Sequence, residues 1–257
     1  MLANKTIAVV IPAHNEARLL PRTLSRLPSF VDRVVVVDDA STDATATCVA
    51  HDARVTVCRH PVNRGVGAAI VTGYRHCLDH RLDVAVVMGA DDQMHPDDMP
   101  SLLLPILRGE ADYVCGDRLA WPGGWREFPA IRLAGVVTLA ALTRQSTGLS
   151  HIRDAQCGYT AISREGLGRL ALHRLYPRYG FPNDMLAKAA TAGLKVETRP
   201  IRPIYADETS SMRVGRVAGP ILKMLVANWI ERVALERAEV TLEPPAPAQA
   251  ASMISEA

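Results

Sequence analysis

The sequence predicts an α/β fold, a doubly wound and mostly parallel sheet with helices on both faces, in one domain over residues 1–240. Three observations predict it. Short apolar runs bounded by polar residues recur at 7–11, 34–37, 55–58, 84–88 and 113–116, the mark of strands buried on both faces. Stretches with apolar residues at helical spacing separate them, the alternation of a parallel sheet. Acidic or glycine-bearing turns close the strands, at the edge where open α/β sheets bind ligands.

The elements follow in order. The first strand ends in Pro12-Ala13-His14-Asn15-Glu16, and Leu20, Leu24 and Leu27 give the next segment a helical stripe. Four valines form the second strand, which ends in Asp38-Asp39-Ala40-Ser41-Thr42-Asp43. Ser41 or Thr42 suits the N-cap of a helix reaching about Asp52. A short third strand at 55–58 leads through Asn63-Arg64-Gly65-Val66-Gly67 into a helix ending near Leu78. The fourth strand opens the central stretch 84–100, VAVVMGADDQMHPDDMP. Its end carries Asp91, Asp92, Gln93 and His95, and Pro96 opens the next helix, which runs to about Leu107. Asp117-Arg118 closes the strand at 113–116.

After Arg118 the pattern changes. Trp121-Pro122-Gly123-Gly124-Trp125 signals a loop. A helix is expected between Arg132 and Arg144, a strand at 158–162 and a helix at 182–192 stopped by Gly193. Residues 196–204 read as extended, with Pro200 and Pro203 suited to an edge. Gly219-Pro220 starts a last helix to about Val240, and the Pro- and Ala-rich stretch 241–257 is expected to be disordered. The change divides the domain at about residue 117.

Composition narrows the function classes. Of 257 residues, 48% are hydrophobic and 22% charged, an ordinary globular balance with ample material for a core. A net charge of +2 argues against a nucleic-acid partner. Three Phe, three Trp and six Tyr also argue against a base-stacking platform. Five scattered cysteines without a CxxC pair read as buried thiols in a reducing compartment. No basic segment precedes an apolar leader, and the longest apolar stretch, 133–142, is too short to cross a bilayer. The expected location is cytoplasmic. Segments 131–144 and 220–237 each join an apolar face to flanking Arg or Lys, suiting a peripheral contact with the inner face of a membrane. Burial against the domain or a homodimer partner is the competing reading.

Two adjacent carboxylates at a strand end, Asp91 and Asp92, suit a hard divalent cation carrying a phosphorylated substrate. A solvated turn capping the next helix would use the same residues. The decisive signal is the set of turns taken together. Residues 11–16, 37–43, 63–67 and Ala90-Asp91-Asp92-Gln93, in this order, resemble the family 2 glycosyltransferases. The dolichyl- or polyprenyl-phosphate mannosyl- and glucosyltransferase branch is the nearer likeness. Asp154-Ala155-Gln156-Cys157-Gly158-Tyr159 and residues 181–201 agree with it, and the resemblance covers roughly 5–205.

That resemblance implies a GT-A fold, with a nucleotide-sugar half at about 1–117 and an acceptor half at about 118–240, and inverting transfer of a sugar from a UDP- or GDP-sugar donor. Pro12, Ala13, His14, Glu16, Asp38 and Asp39 would hold the base and ribose, since carboxylates accept from base N–H groups and ribose hydroxyls. Helix capping competes for Asp39 and Asp43. Asn63, Gly65 and Gly67 would admit an anion close to a helix N-terminus. Asp91 matches the second carboxylate of the family's metal-binding Asp-any-Asp motif, for Mg²⁺ or Mn²⁺, with Gln93 its usual companion. The first position of that motif is Gly89, a departure for which Asp92 is a candidate substitute. Gly65-Val66-Gly67 also lacks the Lys often found between those glycines.

A cation plus Arg neutralises the departing diphosphate, and Arg118 and Arg213 are the candidates for the Arg. A phosphate acceptor arrives ionised, whereas a hydroxyl acceptor needs a carboxylate to take its proton. Asp154 and Asp184 are the available bases, with a capping role the alternative for Asp184, and Gln156 suits substrate orientation. Cys157 reads as a packed thiol, His14 as a wall of the base pocket, and Trp121 and Trp125 as a lid or as packing.

The predicted acceptor is a polyprenyl phosphate or a soluble small molecule. Two rival enzymes lack their motifs here: a sugar-nucleotide pyrophosphorylase wants a Gly-rich basic loop after the first strand, and an NAD-dependent Rossmann enzyme wants GxGxxG. A non-catalytic nucleotide-sugar-binding relative remains as a third reading.

Overall fold

The computed structural model describes residues 1–49, 52–204 and 214–242. Seven strands form one sheet in the order β3-β2-β1-β4-β6-β5-β7. They are β1 (Ile7–Ala13), β2 (Arg33–Asp38), β3 (Val55–Arg59), β4 (Val84–Val87), β5 (Tyr113–Asp117), β6 (Thr160–Ser163) and β7 (Val196–Pro200). β6 runs antiparallel to β4 and β5, while every other pairing is parallel. The extended stretch expected at 196–204 is therefore a shorter strand. β7 is an edge, and Pro200 costs no ladder bond as its last residue.

Alternation along β1 sorts its side chains to two cores. Ala8 and Val10 join one cluster, Ile7, Val9 and Ile11 the other, as the two-residue period of a strand requires. The first core is covered by α2 (Val66–Asp79), α5 (Arg164–Arg169) and α6 (Phe181–Thr191), the second by α1 (Leu20–Ser25) and α3 (Met99–Leu107). Helices on both faces explain why the strands read as continuous apolar runs. α4 (Ala130–Thr147) packs on α6 and on the long α7 (Val214–Leu242).

The helix expected from Ser41 to Asp52 does not form in its described part. Residues 41–49 are bends and turns. Their side chains serve the neighbouring loop instead: Ser41 Oγ accepts from Asn15 N at 2.9 Å and Thr45 Oγ1 from Glu16 N at 2.8 Å. Ser and Thr favour such local backbone bonds over helix interiors. The short α5 was not expected, and the chain from Glu243 onward lies outside the described residues.

Between β1 and β4 the strand order reverses direction. Chain from β1 leads outward to β2 and β3, then returns to β4 on the other side. The crevice at those carboxyl ends is the topological switch point where open α/β sheets take ligands.

Candidate active site

Three turns meet at this crevice. Ala13, last in β1, pairs with Asp38, last in β2, and Asp39 N donates to Ala13 O at 2.9 Å. Pro12 and Ala13 are thus sheet residues, and His14 follows on the exposed side, its Nδ1 2.9 Å from Asp39 O. The Gly89–Gln93 turn continues β4 alongside.

Asp38 and Asp39 divide their labour. Asp38 is fully buried, and its Oδ1 accepts from Ser41 N at 2.9 Å. Its Oδ2 has no hydrogen-bond partner; Arg59 Nε lies 3.1 Å away, too poorly aligned to donate. A buried oxygen without a donor is costly, so this atom suits an incoming N–H or hydroxyl. Ala40, Ser41, Arg59, His60 and Pro61 line an open cleft of about 400 Å³ here. Asp39 instead faces inward. Its Oδ1 accepts from Arg64 N at 2.8 Å and lies 2.7 Å from His60 Nδ1, and its Oδ2 accepts from Gly65 N at 2.7 Å. Burial opposes ionisation of Asp39, but these two amides and the His60 ring outweigh it and hold the carboxyl below its ordinary value.

The glycine turn has a different neighbour from the expected anion. Cβ atoms at Gly65 and Gly67 would stand 2.5 Å from Pro177 O and 2.2 Å from Tyr176 O. Ala68 N, in the first turn of α2, donates to Pro177 O at 3.1 Å. The close approach these glycines permit is therefore to the chain's own 176–178 segment. Asn63 Nδ2 lies 3.4 Å from Asp39 O and closes the same turn.

At β4 the two adjacent carboxylates separate. Asp92, at φ +58°, turns away to α1, with Oδ2 2.8 Å from Arg22 Nε and Oδ1 2.6 Å from Arg26 Nη1. Asp92 is thus committed elsewhere and does not replace the carboxylate missing at Gly89. Asp91 does the filling: a Cβ at Gly89 would meet Asp91 Oδ1 at 2.8 Å. The same oxygen accepts from Gln93 N at 3.2 Å. Among the described residues no three His, Cys, Asp or Glu side chains gather as a metal site. One carboxylate fits Mg²⁺ or Mn²⁺ only when substrate oxygens complete the shell, a mode natural to Mg²⁺.

On the other side of the switch point, antiparallel β6 brings the 154–158 turn to the end of β5. Arg118 grips Asp154 with Nε at 2.7 Å from Oδ2 and Nη2 at 2.9 Å from Oδ1. Arg118 N and Gln156 N add bonds at 3.3 and 3.2 Å. The next pair mirrors it, Arg153 Nε lying 3.0 Å from Asp117 Oδ2. Gln156 Nε2 donates to Asn183 Oδ1, and Asn183 Nδ2 to Thr143 Oγ1 at 2.7 Å, tying this turn to α6 and α4. Burial pushes the Cys157 thiol up to about 12, so it packs rather than reacts.

Asp184 lies in the first turn of α6, buried. Its Oδ2 accepts from Tyr176 N at 2.8 Å and its Oδ1 from Asn228 Nδ2 at 2.9 Å. It lines a second cleft of about 850 Å³ with Lys188, Asn228 and Glu231. Both oxygens of Asp154 and of Asp184 are thus engaged by the protein, an arrangement that argues against either as a general base. Trp121 is held under Arg202, whose guanidinium carbon lies 5.6 Å from the ring, while Trp125 is exposed. Arg213 lies outside the described residues. Arg22, Arg26, Arg59 and His60 were not singled out from sequence; only the carboxylates they serve were legible.

A sequence profile described as glycosyl transferase family 2 matches residues 8–170. The chain belongs to that family. It is a glycosyltransferase, and similar proteins fall in its polyprenyl-phosphate branch. An undecaprenyl-phosphate mannosyltransferase of Micrococcus luteus is 32% identical over 87% of this chain and 93% of its own length. A UDP-N-acetylglucosamine–dolichyl-phosphate N-acetylglucosaminyltransferase of Methanococcus voltae is 28% identical over 80% and 88%. Among solved structures, glucosyl-3-phosphoglycerate synthase from Mycobacterium tuberculosis, in complex with Mn²⁺, UDP and phosphoglyceric acid, superposes with TM-score 0.70 at 22% identity. It covers 88% of this chain and 79% of its own. The architecture of the glycosyltransferase is thereby the GT-A fold that the turns implied.

Proposed function

We propose that this glycosyltransferase moves a sugar, with inversion, from a nucleoside-diphosphate sugar to a polyprenyl phosphate at a membrane surface. The donor reading rests on Asp38, whose buried Oδ2 lacks a donor beside an open cleft. The base and ribose would lie along residues 12–16 and 38–39. The diphosphate would reach Asp91, which would hold Mg²⁺ or Mn²⁺ together with its oxygens. A bound cation would offset the charge that develops on the leaving diphosphate.

The single observation that carries the acceptor reading is the engagement of both oxygens of Asp154 and of Asp184. A hydroxyl acceptor needs a base to take its proton; an ionised phosphate needs none. Arg118, held in orientation by Asp154, would bring its positive charge to a phosphate, since a guanidinium pairs naturally with such oxygens. Apolar surface on α4 and α7 agrees with a lipid acceptor. Thirteen large hydrophobic residues are exposed among the described ones, three of them on α4 and five on α7. Leu222, Val226, Trp229 and Ile230 follow helical spacing as one stripe of α7, and α4 carries no acidic residue. Such a face suits the interfacial layer of an anionic bilayer, which would make the enzyme peripheral to the inner face of a membrane.

A transfer assay tests this. Labelled UDP- and GDP-sugars, with Mg²⁺ or Mn²⁺, are offered undecaprenyl phosphate in detergent or phosphoglyceric acid in buffer. Label in the organic phase is the expected result. Label confined to the soluble product would overturn the lipid acceptor, and none in either would favour a non-catalytic binding protein.

A further inference from the structure

We infer that His60 is a positioning residue for donor binding, acting through Asp39, which ties the Asp38-Asp39 strand end to the 63–65 turn; this rests on the donor reading of the crevice at that strand end. His60 follows directly on β3 and is buried, its amide donating to Asp38 O at 2.9 Å. Its ring spans two elements. Nδ1 lies 2.7 Å from Asp39 Oδ1, and Nε2 lies 2.9 Å from Thr72 Oγ1 on α2. The Asp39 carboxylate accepts only, so Nδ1 carries the proton of that contact.

Asp39 passes the constraint on. Besides His60 it accepts from Arg64 N and Gly65 N, the two amides that open the way into α2. Gly65 sits at φ +98°, a conformation side chains rarely adopt, with Pro177 and Arg178 pressed against it. A turn so tightly fitted depends on both Asp39 oxygens keeping their place. The carboxylate could swing about its own χ angles were its third donor removed. His60 prevents this from the rear, while Asp38, one residue earlier in the chain, keeps Oδ2 without a donor. The ring, buried at the edge of the cleft, thus rigidifies the residues beside the substrate through Asp39. Preorganisation of this kind is expressed as affinity, because the ordering is complete before the ligand arrives.

The two ring nitrogens can be tested apart. Asn carries its amide nitrogen near the Nδ1 position, and Gln carries it near Nε2. His60→Asn retains a donor for Asp39, and His60→Gln removes it while keeping a polar group toward Thr72. UDP and GDP, each with Mn²⁺, are titrated calorimetrically into wild type and both variants, alongside thermal melts and steady-state transfer kinetics. His60→Gln is expected to weaken the nucleotide bound by wild type about tenfold and to raise donor KM similarly, with kcat within about threefold. His60→Asn is expected to stay within about threefold in affinity, even though both variants melt lower. Equal affinity losses in the two variants would assign His60 to packing alone and overturn the inference, as would unchanged binding in His60→Gln. Thr72→Val, which removes only the rear support, is expected to weaken binding less than His60→Gln, and it carries the comparison with His60→Asn if His60→Gln fails to fold. A wild type that binds neither nucleotide overturns the donor reading itself, a result distinct from the other two.

Discussion

Arg118 and Asp154 form a two-point ion pair, 2.7 and 2.9 Å, in which the carboxylate is completely buried and the guanidinium retains some exposure. Such a pair fixes an arginine in orientation rather than adding much to stability, because burying both charges costs nearly what their attraction returns. Arg118 also lies over Phe128, its guanidinium carbon 5.4 Å from the ring centroid. The side chain is therefore held on two sides at the end of β5.

Removing one partner should be far more damaging than the pair's net worth suggests. Asp154→Asn is expected to cost about 3 kcal/mol, which lowers Tm by roughly 6–12 °C in a chain of this size. Arg118→Lys keeps the charge but loses the fork, and kcat/KM is expected to fall at least about tenfold. Urea melts and initial rates at 20 °C check both. If Asp154 were the general base, Asp154→Asn would abolish transfer even at temperatures where the variant remains folded.

Gly89 sharpens the metal question. With glycine at 89 and Asp92 paired to Arg22 and Arg26, Mn²⁺ is expected to bind weakly alone and tightly with nucleotide. Calorimetry with Mn²⁺, with and without UDP or GDP, reads this directly. Asp91→Asn is expected to remove the gain that Mn²⁺ gives to nucleotide binding and to lower kcat/KM at least about 100-fold, with Tm shifted by less than about 2 °C. Transfer unaffected by EDTA would remove the cation from the reaction.

The sheet was legible because its strands are buried on both faces, which writes them as uninterrupted valine and isoleucine runs. The reversal at β6 carried no such signature, since a buried antiparallel strand has the same composition. Residues 41–49 misled for a local reason: Ser41, Asp43 and Thr45 are good cap residues, yet their side chains bond the Asn15–Ala17 loop. Within the site, the acidic turns announced themselves, but the division of work between Asp38 and Asp39 did not. That division depends on His60, 21 residues away, and the release of Asp92 from the site depends on Arg22 and Arg26. Glycines at 65 and 67 were visible as demands for close approach, though not what approaches them.

Acid should reveal Asp39. Its folded carboxyl titrates below the ordinary 3.8, so its contribution to stability is complete above that value and is lost as pH falls through the lower, folded one. Asp39→Asn is expected to flatten the stability–pH profile between about pH 5 and 2 and to lower stability at neutral pH. Asp38→Asn is expected to weaken nucleotide binding more than it lowers Tm. Chemical melts across pH, paired with nucleotide titrations, separate the two. Parallel loss of binding and stability in Asp38→Asn would make Asp38 structural as well.

The exposed stripe of α7 gives the last prediction. Trp229 and Ile230 are 42% and 57% exposed, beside a helix, α4, whose ionisable residues are Arg132 and Arg144. On α7, Glu231 is paired with Lys188 and Arg174, and Glu236 with Arg232. An anionic surface would therefore meet apolar and basic groups with little opposing charge. Binding to vesicles containing phosphatidylglycerol should exceed binding to phosphatidylcholine alone and should weaken with salt. Replacing both residues, Trp229→Ser with Ile230→Ser, should reduce sedimentation with anionic vesicles at least about tenfold, while nucleotide affinity stays at the wild-type level. A second copy of the chain is the competing occupant of this face. If the wild type sediments as a dimer and the double variant as a monomer, with vesicle binding absent in both, the stripe is a protein interface and a lipid acceptor must reach the site by another route.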